Sequence, residues 1–309
     1  VMTDLGTLGD TPLGLSVSLA EDINEVGLVV GEASVPNGQR HAFLWENGVM
    51  TDLGTLGGPS SRAIDINEAG QVVGWSLTPN GHKHAFLWED GVITDLGTLG
   101  GTVTTAIAIN EAGQIAGSSG NAESKERAFR WVEGEITDLG TLRGGVTSRA
   151  TAMGEDGRIV GYSRSAENVP RPFVWEMGVM VDLGVTRGRF SAAVAINEGG
   201  RVVGAYRAPT GESHIFQWER GVMTDLGNLG SAVCTSIAIN RMGQVAGSIR
   251  SGVGWYQVFV WREGVLVTVP ALAKGDMRVT GINTAGQVVG DSPTPTGESQ
   301  ATLWQIVSR

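Results

Sequence analysis

The stretch His84-Ala85-Phe86-Leu87-Trp88-Glu89-Asp90-Gly91-Val92-Ile93-Thr94-Asp95-Leu96-Gly97 reads as a β-hairpin. Asp90-Gly91 is the reason. A two-residue hairpin turn needs positive φ at both positions, which Asn or Asp followed by Gly tolerates best. His84–Glu89 is then one strand and Val92–Gly97 the next. Asn47-Gly48 repeats the signal, and Gly134, Gly178, Gly221 and Gly264 keep the second turn residue. Upstream, Ser61–Asn67 reads as a strand, Glu68-Ala69-Gly70 as a tight turn, and Gln71–Ser76 as a second strand. A longer loop, Leu77–Lys83, leads back to the hairpin. One unit therefore supplies four strands, a to d. Helical periodicity appears nowhere.

The unit recurs. Tryptophans stand at 45, 88, 131, 175, 218, 261 and 304, in steps of 43, 43, 44, 43, 43 and 43 residues. A second series, Asn24, Asn67, Asn110, Gly154, Asn197, Asn240 and Asn283, keeps the same steps. A period of about 40–45 residues is a propeller-blade length. The fold class expected is all-β, a seven-bladed β-propeller of four-stranded antiparallel blades forming a single domain over residues 1–309. Six d strands follow c strands, starting at Val49, Val92, Glu135, Val179, Val222 and Val265. The seventh stands at the front, where Val1-Met2-Thr3-Asp4-Leu5-Gly6 repeats Val49-Met50-Thr51-Asp52-Leu53-Gly54. The last unit ends on its c strand, about residues 300–306. Pairing residues 1–6 with that strand closes the ring and removes an open edge.

Composition narrows the function classes. Length alone suggests two domains, but a repeat overrides that prior. The formal net charge of −10 argues against non-specific nucleic-acid binding, which needs a basic face. No apolar run is long enough to span a membrane. Cys234 is the only cysteine, so no internal disulfide exists. No signal-peptide pattern is present, and the chain begins at Val1, which points to a leader or preceding segment removed. Lysine occurs only at 83, 125 and 274, far below arginine, as in a GC-rich bacterial genome.

The tripeptides His41-Ala42-Phe43 and His84-Ala85-Phe86, with the diverged copies Arg127-Ala128-Phe129, Arg171-Pro172-Phe173 and His214-Ile215-Phe216, resemble the His-Ala-Phe (HAF) repeats. The resemblance covers the whole chain. It implies a bacterial repeat protein, extracellular or periplasmic, and transfers no catalytic residue. The last unit departs most, with Gln300-Ala301-Thr302. The sixth ends in Val267-Thr268-Val269-Pro270 where others have Asp-Leu-Gly.

Residues present in most units build the blade: the Trp, Phe and Asn series and the Asp-Leu-Gly runs. Subtracting them leaves six aromatics, Trp75, Tyr162, Phe190, Tyr206, Trp255 and Tyr256. They fall in strand b, the b–c loop or a d–a loop, which emerge at one end of an antiparallel blade. All four histidines (His41, His82, His84, His214) and Cys234 map to the same face. Free loops collect unusual residues, but exposed aromatics are also enriched at binding sites. Charge adds an acidic arc, Asp291, Glu21, Glu32, Asp22 and Asp65, on units 7, 1 and 2. Its structural alternative is pairing with Arg62 or Arg278 between blades.

No Gly-x-Ser-x-Gly, P-loop, His-Glu-x-x-His or Cys-x-x-Cys motif is present, and no cofactor or metal is expected. The first functional expectation is a monomeric binding module. Glu32, Trp75, Tyr162, Phe190, Tyr206, Trp255, Tyr256 and Asp291 would present a carbohydrate, small molecule or protein partner with aromatic and polar groups. The alternative is a lyase, hydrolase or cyclase at the channel mouth. A carboxylate pair from Glu21, Asp22, Asp65, Glu32 or Asp291 would serve as acid and base. Otherwise Tyr162 would abstract a proton beside Arg149 and Arg164.

Overall fold

The computed structural model describes residues 5–11, 16–185, 190–250, 256–270, 277–293 and 299–305. Every regular element among them is a β-strand. Repeat 1 holds β1 (Ser18–Ile23), β2 (Val29–Ser34), β3 (Arg40–Glu46) and β4 (Val49–Gly54). Repeat 2 holds β5 (Ser61–Ile66), β6 (Val72–Leu77), β7 (Lys83–Glu89) and β8 (Val92–Asp95). Repeat 3 holds β9 (Gly100–Ile109), β10 (Ile115–Asn121), β11 (Glu126–Val132) and β12 (Glu135–Asp138). Then come β13 (Gly145–Met153), β14 (Ile159–Ser165), β15 (Pro170–Glu176) and β16 (Val179–Asp182). Repeat 5 is β17 (Phe190–Ile196), β18 (Val202–Arg207), β19 (Ser213–Glu219) and β20 (Val222–Asn228). Repeat 6 is β21 (Val233–Ile239), β22 (Val245–Arg250), β23 (Tyr256–Arg262) and β24 (Val265–Pro270). The last is β25 (Arg278–Ile282), β26 (Gln287–Pro293) and β27 (Ser299–Gln305).

The described strand boundaries agree with the sequence reading to within two residues, and within each repeat strands in sequence order are antiparallel neighbours. The chain divides into two compact units, with the main break at Gly157/Arg158. In the first, β1-β2-β3-β4 is one sheet, and repeats 2 and 3 join through the parallel pairing Lys83↔Val103. In the second, β17-β18-β19-β20, β21-β22-β23-β24 and β25-β26-β27 are separate sheets. The hairpin turns have the expected backbone: φ is 50° and 82° at Asp90-Gly91, and 49° and 88° at Asn47-Gly48.

Strand a carries a β-bulge. The register slips between Ala20 and Asp22 in β1, Ala63 and Asp65 in β5, and Ala193 and Ala195 in β17. The bulge drives a backbone carbonyl against strand b, where a glycine waits. A Cβ on Gly74 would lie 2.0 Å from the Arg62 carbonyl oxygen, and one on Gly204 2.1 Å from that of Ala192. The same Gly204 Cβ would lie 2.6 Å from the Phe216 ring. At Gly204 the glycine is thus demanded by backbone and core together, and at Gly74 by the backbone alone.

The Asn series ties neighbouring repeats at the a–b turns. Asn67 Oδ1 accepts from Gln71 N at 2.9 Å, and its Nδ2 donates to the Asn110 carbonyl at 3.2 Å. Asn24 does the same towards Leu28 and Asn67. In the second unit Asn197 donates to the Asn240 carbonyl and Asn240 to that of Asn283. All these amides except that of Asn283 belong to buried residues, so each bond removed would leave unpaired backbone.

The core lies between sheets. Phe43, Phe86, Phe129, Phe173, Phe216 and Phe259 are fully buried, each worth about 2–3 kcal/mol by area removed from water. Leu53 and Leu56 pack with Val72, Phe86 and Trp88 of repeat 2. Leu5 and Leu8 pack in the same manner with Val29, Phe43 and Trp45 of repeat 1.

Candidate functional site

One candidate site lies in the first unit, at the b–c and d–a end of repeats 2 to 4. It is a cavity of about 510 Å³. One wall is backbone-rich, formed by Gly100 and Gly101 where the d–a connection enters β9 and by Gly120 near the end of β10. The remaining walls bring Thr102, Thr105, Ser118 and Ser124 together with Lys83, Glu126 and Arg149. Ser118 is buried and its Oγ accepts from Ala150 N at 3.2 Å. Ser119 Oγ is committed to Thr104 at 2.8 Å and Leu99 N at 3.0 Å. Thr102, Thr105 and Ser124 have no side-chain hydrogen bond within the described residues, so their hydroxyls remain available.

Charge at this site comes from strands a and c. Arg149 in β13 approaches Glu126, the first residue of β11, with Nε to Oε1 at 3.7 Å. Lys83, the first residue of β7, holds its Nζ 4.0 Å from the centroid of the Trp75 ring. This is a cation–π arrangement, and it puts Trp75 behind the lysine, outside the cavity lining.

The acidic arc separates into two structures. Glu21 is the bulged residue of β1 and ion-pairs with Arg62 of β5. Glu32 is buried, bonded to Arg40 Nη1 at 2.8 Å, with Arg62 Nη1 4.0 Å away. Both therefore sit in an ion network across repeats 1 and 2, the structural alternative open in the sequence. Asp22 and Asp65 form a carboxyl pair. Asp22 Oδ2 accepts from Ile66 N at 3.2 Å and Asp65 Oδ2 from Ile109 N at 2.7 Å. Burial first, then the charge and hydrogen bond of Asp22, hold the Asp65 carboxyl well above the usual carboxylate range. The pair stands two residues before the Asn that caps each a–b turn, at the strand end away from the cavity lining. Asp291 lies in β26, where its backbone alone is described.

The unusual aromatics do not gather at the first unit's cavity. Tyr162 in β14 has the Arg164 guanidinium 5.0 Å from its ring centroid. Tyr206 in β18 donates its hydroxyl to Asp225 Oδ2 at 2.8 Å and stacks on His214 at 5.0 Å. It also lines a second cavity, about 290 Å³, with Arg207 and Cys234. Burial pushes the Cys234 thiol up to about 12, so it is no nucleophile at neutral pH. Phe190 and Tyr256 are strand residues described by backbone only, and Trp255 lies outside the described residues.

The histidines take a structural part. His41 Nδ1 lies 2.9 Å from Asp52, His84 Nδ1 2.7 Å from Asp95 and His214 Nδ1 2.8 Å from Asp225. Each aspartate also accepts from the glycine amide two residues on. Arg127 and Arg171 replace histidine opposite Asp138 and Asp182. The His-Ala-Phe and Asp-Leu-Gly runs are thus two halves of one contact between strands c and d. Among the described residues no three His, Cys, Asp or Glu side chains converge as a metal site, and no helix is long and apolar enough to cross a membrane.

Of the residues singled out in the sequence, Arg149 lines the first unit's cavity. Sequence reasoning missed Lys83, Glu126 and the hydroxyls of β9 and β10.

No family model matches the chain, and no curated protein sequence matches it. Solved structures do. Over 94% of its length the chain is similar to 95% of the β-propeller domain of the Trilobed protease from Pyrococcus furiosus, with a TM-score of 0.63 and 12% identity. A puromycin-hydrolyzing peptidase of Mycobacterium tuberculosis matches 94% of the chain over 51% of its own, with a TM-score of 0.61 and 14% identity. A structure from a study of two prolyl endopeptidases matches 93% of the chain over 49% of its own, with a TM-score of 0.64 and 14% identity. The chain therefore spans nearly all of an isolated propeller domain and about half the length of these peptidases. At this identity the likeness shows the fold, a β-propeller, and no activity.

Proposed function

We propose that this β-propeller is a binding module whose site is the cavity of repeats 2 to 4 in its first unit, and that the ligand is a small polar molecule of carbohydrate type. One observation carries the reading. Three hydroxyls without partners among the described residues (Thr102, Thr105, Ser124) line one cavity of about 510 Å³ with Lys83 and Arg149. That volume falls in the usual range of small-molecule sites, about 300–1,000 Å³. The groups sit on or beside strands, which hold a ligand-binding constellation better than loops do.

In this reading the chain is one seven-bladed domain over residues 1–309, with residues 1–6 as the outer strand of the last blade. The packing of Leu5 and Leu8 against repeat 1, as Leu53 and Leu56 pack against repeat 2, supports it. An extracellular or periplasmic setting rests on the His-Ala-Phe resemblance alone.

The test is saturation-transfer NMR with a panel of mono- and disaccharides, followed by titration of Thr105→Val. The variant keeps the side-chain shape and removes one hydroxyl, so a bound sugar should weaken about 3- to 10-fold. A panel with no binder rejects the site. A second reading, an enzyme, is favoured by the raised pKa of Asp65, which suits a general acid. It requires that Asp65→Asn abolish a turnover that Thr105→Val spares.

A further inference from the structure

Resting on the binding reading above, we propose that the ligand is an acidic carbohydrate, a uronic acid or a short oligosaccharide containing one. The repeat itself supplies the argument. Three equivalent positions stand together at the first three junctions between repeats: the residue after the strand-b glycine, the first residue of strand c, and a strand-a residue of the following repeat. At the first junction they are Glu32, Arg40 and Arg62, and the buried Glu32 carboxylate lies 2.8 Å from one guanidinium and 4.0 Å from the other. The protein here fills its own anion site.

At the next two junctions the same positions read Trp75, Lys83, Thr105 and Ser118, Glu126, Arg149. The strand-b carboxylate is gone from both, while a cation remains at each. Lys83 and Arg149 line the same cavity. Lys83 has no carboxylate partner among the described residues, and the Trp75 ring supports its ammonium from behind. Arg149 meets Glu126 only through Nε at 3.7 Å, whereas Arg40, Arg158 and Arg201 hold their carboxylates at 2.8, 3.0 and 2.9 Å. Its fork of Nη donors is left for another carboxylate. The cavity thus carries two cations against one carboxylate, in a chain whose net charge is −10.

The rest of the lining selects among anions. Thr102, Thr105 and Ser124 offer donors and acceptors, and Glu126 accepts from hydroxyls. A plain carboxylic acid or an inorganic phosphate has no ring hydroxyls to use these groups. A sugar acid uses all of them: its carboxylate pairs with Lys83 and the Arg149 Nη donors, and its ring hydroxyls meet the threonines, Ser124 and Glu126.

The experiment is calorimetric titration of the whole chain with glucuronate and galacturonate, beside glucose and galactose, in wild type, Lys83→Gln and Arg149→Gln. Melting temperatures serve as a folding check. Uronates should bind at least about tenfold tighter than the neutral sugars, and added salt should erode the difference. Each substitution should cut uronate affinity about tenfold, a clearly larger fall than for the neutral sugars, so the uronate preference narrows. Equal binding of neutral and acidic sugars overturns the acidic ligand while the binding site stands. Uronate binding indifferent to both substitutions overturns it too. Preference for an aspartate-rich peptide over every sugar overturns it in favour of a protein partner. A chain that binds none of these loses the binding reading as well.

Discussion

Gly204 shows what a single missing atom does in this molecule. It sits mid-strand in β18, where glycine normally weakens a sheet. Here any Cβ would meet the Ala192 carbonyl at 2.1 Å and the Phe216 ring at 2.6 Å. Neither neighbour can yield, because one is paired backbone of β17 beside its bulge and the other fills the core. Gly204→Ala should therefore cost about 3 kcal/mol or more, read as a lower urea midpoint with unchanged slope. A loss below about 0.5 kcal/mol would mean the bulge relaxes freely. The recurrence of this glycine was visible in the sequence, but not its reason, since the bulge belongs to the neighbouring strand. The histidines show the converse. Their spacing is visible, yet their commitment to the aspartates of strand d depends on the pairing of two strands.

At the scale of the element, strand a of repeats 1 and 2 carries a carboxyl pair that other repeats replace with Ala or Gly. Asp22 binds the backbone of β5 and Asp65 that of β9, so the pair links three consecutive inner strands. Unfolded, Asp65 titrates near the ordinary carboxylate value. Folded, burial and Asp22 keep it protonated to higher pH. Between those two values the folded state binds more protons, so this group's contribution to stability falls as pH rises through that window and is flat below it. Asp65→Asn keeps an acceptor for Ile109 N and a donor for Asp22 without the charge. It should remove that slope and raise stability near neutral pH. Urea midpoints measured from about pH 4 to about pH 8 decide it. Parallel wild-type and variant curves would show that the pair carries no shared proton. The sequence exposed these aspartates as departures from the repeat. That the arc divides into an ion network and a carboxyl pair follows from which strand each side chain faces.

At the scale of the whole molecule, closure turns on the outer strand of the last blade. The described part of that blade has three strands, β25-β26-β27. Residues 1–4 of the proposed partner lie outside the described residues, while Leu5 and Leu8 pack on repeat 1. If residues 1–6 pair with the last strand, deleting them removes both the Leu5 contacts and a ladder of backbone hydrogen bonds. The deletion should then cost clearly more than Leu5→Ala, which by lost burial alone costs about 2 kcal/mol. Equal losses in urea unfolding would leave only the leucine contact and sink the ring closure. Deuterium exchange of the 299–305 backbone amides gives a second reading, since an unpaired edge exchanges fast.

The sequence by itself determined the repeat, the strand grammar and the propeller class. Those depend on local chemistry: turn residues that accept positive φ, and a period that repeats with the blade. It also separated scaffold from departures, because the chain contains its own comparison set. Only the tertiary structure decided where a cavity opens and which departures line it. Lys83, Ser118 and Arg149 come from three different repeats, and their meeting depends on how neighbouring sheets pack. The same reason explains why Glu21 and Glu32, so prominent as an acidic arc, turned out to be partners of Arg62. A charge's role is set by the group across the sheet from it: the sequence offered Arg62 as one alternative, and the packing of β1, β2 and β5 selected it.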